Sequence, residues 1–237
     1  MMKKGRHIIK SHMALDYSFS GIRLIDGALY PVDWHLTANL IAQLKKTSTK
    51  EESESAANIA YQRLCYWLDI NLPDVIMVNV EEEDDLYIAN LVSNIMMYCP
   101  GQPNDDLIIQ LLHSKLSTIA GNSLAIGEIH LKGSDATLSY TFDASEGEYE
   151  LPTTTAEYFP DAIVRDETPW WTRNDGFCFE LTREKIENDT SSNEEYFKNV
   201  DDPMLEFDRA VSVGTHISVS KEPAKIVQVE KWKPRTI

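Results

Sequence analysis

The clearest structural signal in this sequence is the stretch LAIGEIHLKGSDATLSYTF, residues 124–142. Its second half alternates between apolar and polar residues, as a half-buried strand does. Its first half changes phase at Gly127, and a glycine at such a change is typical of a β-bulge. Polar residues 132–135 separate the two halves and favour a turn. The stretch therefore predicts a β-hairpin with a bulge at Gly127.

A similar pattern lies near the N-terminus. Apolar residues alternate over 15–19 and continue out of phase after Gly21, so the sequence predicts a bulge there as well. The dipeptide Asp26-Gly27 favours a type I′ turn, with residues 28–32 as the return strand. We therefore expect two bulged hairpins within the first 143 residues.

Between the hairpins, apolar residues recur at helical spacing in four segments. Asp33, Asp84 or Asp85, and Asn104 or Asp105 are candidate N-caps, and Gly121 is a candidate C-terminal stop. The apolar run at 75–80 predicts a strand buried on both faces. The predicted helical stripes cover residues 36–44, 56–68, 88–96 and 108–119.

The resulting order, ββ-α-α-β-α-α-ββ, is typical of the α+β class. It predicts a mixed or mainly antiparallel sheet, built from two bulged hairpins and one buried strand and covered by about four helices.

Periodicity weakens after residue 143. Alternating apolar residues predict a strand over 176–181, the acidic segment 184–208 predicts a loop or linker, and the apolar positions of 211–229 predict a last hairpin. We expect a core domain at 1–143 and an irregular, β-containing extension at 144–237 that packs on it. A single compact unit is also compatible with this length.

Charge is unevenly distributed along the chain. The net charge is −16, yet residues 1–13 contain four basic residues and no acid, and residues 221–237 are also basic overall. The central body is therefore strongly acidic and repels phosphate backbones. Nucleic-acid contact is expected only through 1–13 and 221–237, unless these ends pair with the acidic body.

Membrane and secretory signals are not predicted. No stretch of 18 apolar residues occurs, and the basic N-terminus is not followed by an apolar signal-peptide region. Cys65, Cys99 and Cys178 are widely spaced without a C-x-x-C pair, which disfavours disulfides and a cysteine zinc site. We expect buried thiols and a cytoplasmic location.

Templates for catalysis and cofactor binding are missing from the sequence. The six histidines form no zinc-binding spacing, and neither a phosphate-binding glycine loop nor a nucleophile elbow occurs. We therefore predict no catalytic residue and no cofactor. Glu83, Asp84 and Asp85, within the acidic run 81–85, are weak candidates for a metal site, but acids that begin a helix also complement its dipole.

The segment PWWTRND, residues 169–175, is the best candidate for a binding site. Tryptophan and arginine are enriched in binding hot spots, so Trp170, Trp171, Arg173 and Asp175 are the predicted partner-binding residues. The alternative is that both tryptophan rings fill gaps between the sheet and the C-terminal segment.

These features favour an acidic, non-enzymatic interaction protein, either an accessory or assembly subunit or an inhibitor. Its expected partner is another protein or a macromolecular complex. One alternative is a small-molecule-binding protein or enzyme with a pocket between sheet and helices, with Glu128 as a polar anchor. A second alternative is nucleic-acid contact through the basic termini.

Overall fold

The computed structural model describes residues 12–42, 49–92, 95–133, 137–140, 151–159, 163–183 and 201–212. Its main strands are β1 His12–Ile25, β2 Ala28–Ala42, β3 Val75–Asn79, β4 Met96–Cys99, β5 Leu124–Lys132 and β6 Thr137–Tyr140. The described helices are α1 Lys50–Asn71, α2 Glu83–Val92, α3 Asp105–Ala120 and α4 Met204–Ser212. Two short strands, β7 Ile163–Val164 and β8 Thr182–Arg183, pair with each other. The predicted α+β class is confirmed.

The main sheet is mixed, with strand order β4-β3-β1-β2-β5-β6. β1 pairs antiparallel with β2 and parallel with β3, and β3 pairs parallel with β4. β5 pairs antiparallel with both β2 and β6. The parallel half needs crossovers, which α1 and α2 supply, whereas the antiparallel half is joined by hairpins.

The first hairpin has the predicted turn but not the predicted bulge. Asp26 and Gly27 both have positive φ, 51° and 74°, as a type I′ turn requires. The register from β1 to β2 is continuous through Gly21, so the bulge prediction is wrong. A Cβ on Gly21 would lie 2.8 Å from the carbonyl oxygen of Val75, so this glycine allows β3 to approach β1 closely.

The predicted helix over 36–44 is wrong because β2 runs on to Ala42. Leu36 and Leu40, four residues apart, satisfy a helical period and a strand period alike. The buried Trp34 and Ala38, with partly exposed residues between them, complete a period of two. The strand forms because the 14-residue β1 lies beside it and pairs with it along its length.

The helices α1 and α3 form where the sequence predicts them, although α1 begins at Lys50, six residues before its predicted apolar stripe. Three candidate N-caps are wrong, because Asp33 lies within β2 and Asp84 and Asp85 lie inside the first turn of α2.

Thr49 and Glu52 form a capping box at α1, and Asn104 caps α3. Gly121 ends α3 with a φ of 56°. β3 is buried along its whole length, as predicted. The third helix is shorter than predicted, because Met96 begins β4, which the sequence analysis missed.

The bulge at Gly127 is confirmed. Ile126 is opposite Leu40 and Ile129 is opposite Ala38, so two residues of β5 face the single Asn39 of β2. The extra residue restores the alternation of apolar and polar residues. The side chains of Ile126 and Ile129 therefore lie on the same face of the sheet.

The C-terminal part of the chain differs from the prediction. Residues 176–181 are irregular rather than a strand, and β8 begins only at Thr182. α4 overlaps the end of the predicted linker and the start of the predicted hairpin, and it buries Met204 and Phe207 at a helical spacing. Residues 184–200 and 213–229 lie outside the described residues. The domain division at 143/144 stays a prediction.

The two faces of the β1–β2 hairpin have different characters. Leu15, Tyr17 and Phe19 are buried on the face that packs against α1 and α3. The intervening residues of β1 point to the opposite face, because side chains alternate along a strand. Directly opposed residues share a face. The polar face therefore carries Asp16, Ser18 and Ser20 beside their β2 partners Thr37, His35 and Asp33.

Replacing Gly21 with alanine tests the close approach of β3 to β1. The new Cβ would clash with the backbone of Val75 and the ring of Trp34, so Gly21→Ala is expected to lower the free energy of unfolding by about 1–3 kcal/mol. Gly101→Ala is the control, because the nearest atom to its Cβ lies at 3.9 Å. Urea unfolding of both variants measures the difference, and equal stabilities would contradict the assigned packing.

Candidate functional site

The two tryptophans of the predicted binding segment lie in the core. They begin the 3₁₀ turn Trp170–Thr172, and their side chains are 0% and 1% exposed. The rings meet edge to face, with centroids 5.6 Å apart, and the indole N–H of Trp170 donates to the carbonyl of Tyr98 at 2.9 Å. Of the two interpretations that the sequence left open, the structure places the rings in the gap-filling position.

Lys115 of α3 binds the backbone of the segment 169–175 through hydrogen bonds. Its ammonium group is fully buried and donates to the carbonyls of Trp170 and Arg173, at 2.9 and 2.8 Å. It also contacts Asp175 Oδ1 at 3.3 Å and lies about 6 Å from the ring centres of Trp67 and Trp170. Burial lowers the pKa of Lys115 to about 8, although Asp175 opposes that shift. Lys115 is not among the residues predicted from the sequence.

Arg173 and Glu180 complete the network. The Arg173 guanidinium bonds to Asp175 at 2.7 Å, to Glu180, and to two backbone carbonyls. Glu180 also accepts from the hydroxyl of Tyr158 and the amide of Trp170. Burial disfavours the charged guanidinium, but the two carboxylates outweigh it and raise the pKa of Arg173. The polar groups of Arg173 and Asp175 are therefore used internally, and their predicted role in partner binding stays a prediction.

The acidic run at the start of α2 is divided by burial. Residues 81–84 are exposed, whereas Asp85 is 2% exposed and accepts from the amide of Gly27 at 2.6 Å. Within the described residues, no group of three or more histidine, cysteine, aspartate or glutamate side chains is arranged to hold a metal ion. The bond from Asp85 ties α2 to the turn of the first hairpin.

An apolar surface lies beside this acidic run, and we call it the α2 surface. Tyr87 and Leu91, one helical turn apart, are 67% and 66% exposed on the side of α2 away from the buried Asp85 and Ala89. Gly27 of the adjoining turn packs near the side chain of Ile88. The α2 surface is defined by the exposed side chains of Tyr87 and Leu91.

A groove of about 750 Å³ lies on the polar face of the sheet, and we call it the sheet-face groove. Its polar lining comes from strands and loops and from no described helix: Ser18, Ser20, Asp33, His35, Asp74 and Lys132. The Ser18 hydroxyl lies 2.8 Å from His35 Nδ1, and Ser20 donates to Asp33 at 2.6 Å. The expected alternative site was a pocket between sheet and helices, and this groove is placed differently.

Glu128 and the three cysteines are the remaining residues that the sequence predictions name. Glu128 lies at the bulge of β5, half exposed, with its carboxylate 3.5 Å from the Nε2 atom of His130. The three cysteines are free and buried, and burial raises the thiol pKa of Cys65 to about 11 and of Cys178 to about 12. These two thiols are therefore protonated at neutral pH, which suits packing rather than nucleophilic catalysis.

Comparison with known proteins adds no functional assignment. The chain matches no protein-family model, and no curated protein shows significant sequence similarity to it. Among the described helices, none is both long enough and apolar enough to cross a membrane.

The depressed pKa of Lys115 predicts a specific pH dependence of stability. The folded chain releases this proton near pH 8 and the unfolded chain near pH 10.5, so the unfolded state binds more protons between these values. The contribution of Lys115 to the free energy of unfolding should therefore rise with pH across this window, by about 1–3 kcal/mol. The free energy of unfolding is measured against pH for the wild type and for Lys115→Met. Subtracting the second curve from the first isolates the contribution of Lys115 from those of the cysteines and tyrosines.

Lys132→Met is the matched control, because Lys132 is exposed. Its stability should differ little from that of the wild type. A difference for Lys115→Met that stays flat or falls from pH 8 to 10 would contradict the assignment of a buried, charged ammonium group.

Proposed function

We propose that this chain is an acidic interaction protein, either an accessory or assembly subunit or an inhibitor, and that it binds a basic partner protein through the α2 surface. The observation that carries the proposal is the exposure of Tyr87 and Leu91 on the outward side of α2. We expect the complex to form in the cytoplasm.

The composition of the α2 surface suits a protein interface. A surface helix normally turns polar residues to solvent, yet α2 exposes an aromatic and an aliphatic side chain one turn apart. Clustered exposed apolar residues mark interaction sites more often than single ones do. Tyrosine is enriched among residues that dominate binding energy, and polar groups commonly form the rim around such anchors.

Charge complementarity selects a basic partner. Four acids, Glu81, Glu82, Glu83 and Asp84, are exposed at the N-terminal end of α2. The chain as a whole carries −16, so an acidic partner would be repelled over its entire approach. A positively charged segment with apolar anchors would be attracted by the acids and retained by Tyr87 and Leu91.

The surface is also held in place before binding. Asp85 accepts the amide of Gly27, and the buried Ala89 fixes the inner side of α2 against the sheet. Anchors on a fixed helix lose little conformational entropy when a partner binds, which favours affinity.

A second copy of the chain is the competing occupant. Residues 221–237 are basic overall and contain Trp232, so this sequence has the chemistry that the α2 surface should attract. Sedimentation velocity distinguishes the cases: a dimer that Tyr87→Ser/Leu91→Ser dissociates would replace the proposed foreign partner with self-association.

Paired substitutions test the α2 surface. The full chain is titrated with a synthetic amphipathic peptide of lysine and leucine at low and high salt, and binding is followed by peptide fluorescence anisotropy. Tyr87→Ser/Leu91→Ser should weaken binding at least about tenfold, the usual loss for anchor residues. Ile59→Ser/Leu205→Ser is the control, since it removes two exposed apolar residues from α1 and α4. Equal losses in both variants would refute the proposal.

The acids should act mainly on association. Glu82→Gln/Glu83→Gln/Asp84→Asn is expected to slow association with the same peptide and to flatten its salt dependence. Stopped-flow fluorescence measures both effects. An association rate that is unchanged by these substitutions would rule out electrostatic attraction at this end of α2.

A further inference from the structure

We propose that the sheet-face groove contains an acyl-accepting serine, in which Ser18 attacks the carbonyl carbon of a small activated ester and His35 acts as the base. Asp16 is the positioning residue. This activity would be additional to the binding function above and would use none of the residues of the α2 surface.

The β1–β2 register brings these three groups together. Asp16 and Ser18 are two residues apart on β1 and therefore share a face. His35 is directly opposite Ser18 and lies diagonally from Asp16. The hydroxyl of Ser18 is 2.8 Å from His35 Nδ1, and His35 Nε2 is 3.5 Å from the Asp16 carboxylate. The Ser18 hydroxyl is therefore next to the His35 imidazole, which in turn is next to the Asp16 carboxylate.

The carboxylate determines which nitrogen of His35 carries the proton. A neutral imidazole beside a carboxylate favours the tautomer whose N–H points to that carboxylate. Here the N–H is at Nε2, so the lone pair of Nδ1 faces Ser18 and the serine hydroxyl donates to it. This is the arrangement that a serine nucleophile requires of its base.

Access and charge in the groove suit the same reaction. Ser18 is exposed and the His35 side chain is 42% exposed, so an ester can reach the hydroxyl without movement of the chain. Lys132 of β5 is in register with His35 and lines the same groove. A lysine in the groove adds positive potential there, which favours the negative charge that develops on the carbonyl oxygen.

The proposed reaction balances in two steps. Ser18 Oγ forms a bond to the carbonyl carbon, its proton passes to His35 Nδ1, and the ester's alcohol or phenol leaves and takes that proton. Water then attacks the acyl-serine, with His35 as base, which releases a carboxylic acid and restores Ser18. The co-reactant is water alone.

Ser20 provides an internal comparison. It lies two residues from Ser18 on the same strand, is exposed and lines the same groove, but its hydroxyl donates to the Asp33 carboxylate. An aspartate carboxylate is a much weaker base than an imidazole. The two serines share a strand, a face and solvent exposure but differ in the base that accepts from the hydroxyl, so Ser20 is the comparison for the role of His35.

Two probes test the proposal on the full chain. A fluorophosphonate should form one adduct with loss of fluoride, and peptide mass spectrometry should place it on Ser18 and not on Ser20. Hydrolysis of p-nitrophenyl acetate should be abolished by Ser18→Ala and unchanged by Ser20→Ala. His35→Asn should slow both reactions at least about 100-fold, with partial rescue by added imidazole.

Asp16→Asn should lower kcat for ester hydrolysis and leave KM near its wild-type value, because the carboxylate orients His35 and does not itself contact the ester. Equal labelling of Ser18 and Ser20, labelling of neither, or rates that His35→Asn leaves unchanged would each overturn the proposal. Loss of peptide binding by Tyr87→Ser/Leu91→Ser would not affect these results, so the two proposals can fail separately.

Discussion

A buried ammonium group on α3 determines how the C-terminal half of the described structure is organised. Lys115 is inaccessible to solvent, so its charge must be met inside the protein. The carbonyls of Trp170 and Arg173 and the carboxylate of Asp175 meet it, and all three belong to one short segment. Holding that segment over α3 places both tryptophan rings in the core. The Arg173–Glu180 pair then fixes the segment's far side, because Glu180 also accepts the amide of Trp170.

Two distinct exposed regions of chemical interest lie within the part of the chain that the structure describes. The α2 surface combines apolar anchors with adjacent acids, and the buried Asp85 fixes it to the hairpin turn. The sheet-face groove is polar and carries a hydroxyl paired to an imidazole. We propose that the first region binds a basic protein and that the second attacks a small electrophile. The long β1–β2 hairpin is connected to both regions, because its turn holds α2 through Asp85 and its middle lines the groove.

Local signals in the sequence were sufficient where one interaction dominates. Asn104 and Gly121 mark the ends of α3, and Gly127 marks the bulge, because caps and bulges are short-range features. Leu36 and Leu40 were misassigned because a four-residue spacing fits both periods, and pairing with a distant strand decides between them. The contact of Lys115 with Trp170, and the nearness of His35 to Ser18, depend on residues 17 or more positions apart in sequence. The adjacent Trp170 and Trp171 are unusual in sequence, but they do not show what they pack against. A lysine within the apolar helix α3 was the available signal, because a buried Lys115 needs hydrogen-bond acceptors inside the protein.

Hydrogen exchange of the segment 169–178 tests the central claim most directly, namely that this segment is part of the core. The amide of Trp170 donates to Glu180, that of Arg173 to Trp170, and that of Tyr98 to Cys178. If the claim holds, these amides exchange only through the opening that also exposes α3, with the same protection as the interior of α3. Lys115→Met should then reduce their protection more than that of β1. Exchange of the Trp170 and Arg173 amides at the rate of an open loop, while α3 stays protected, would contradict the account.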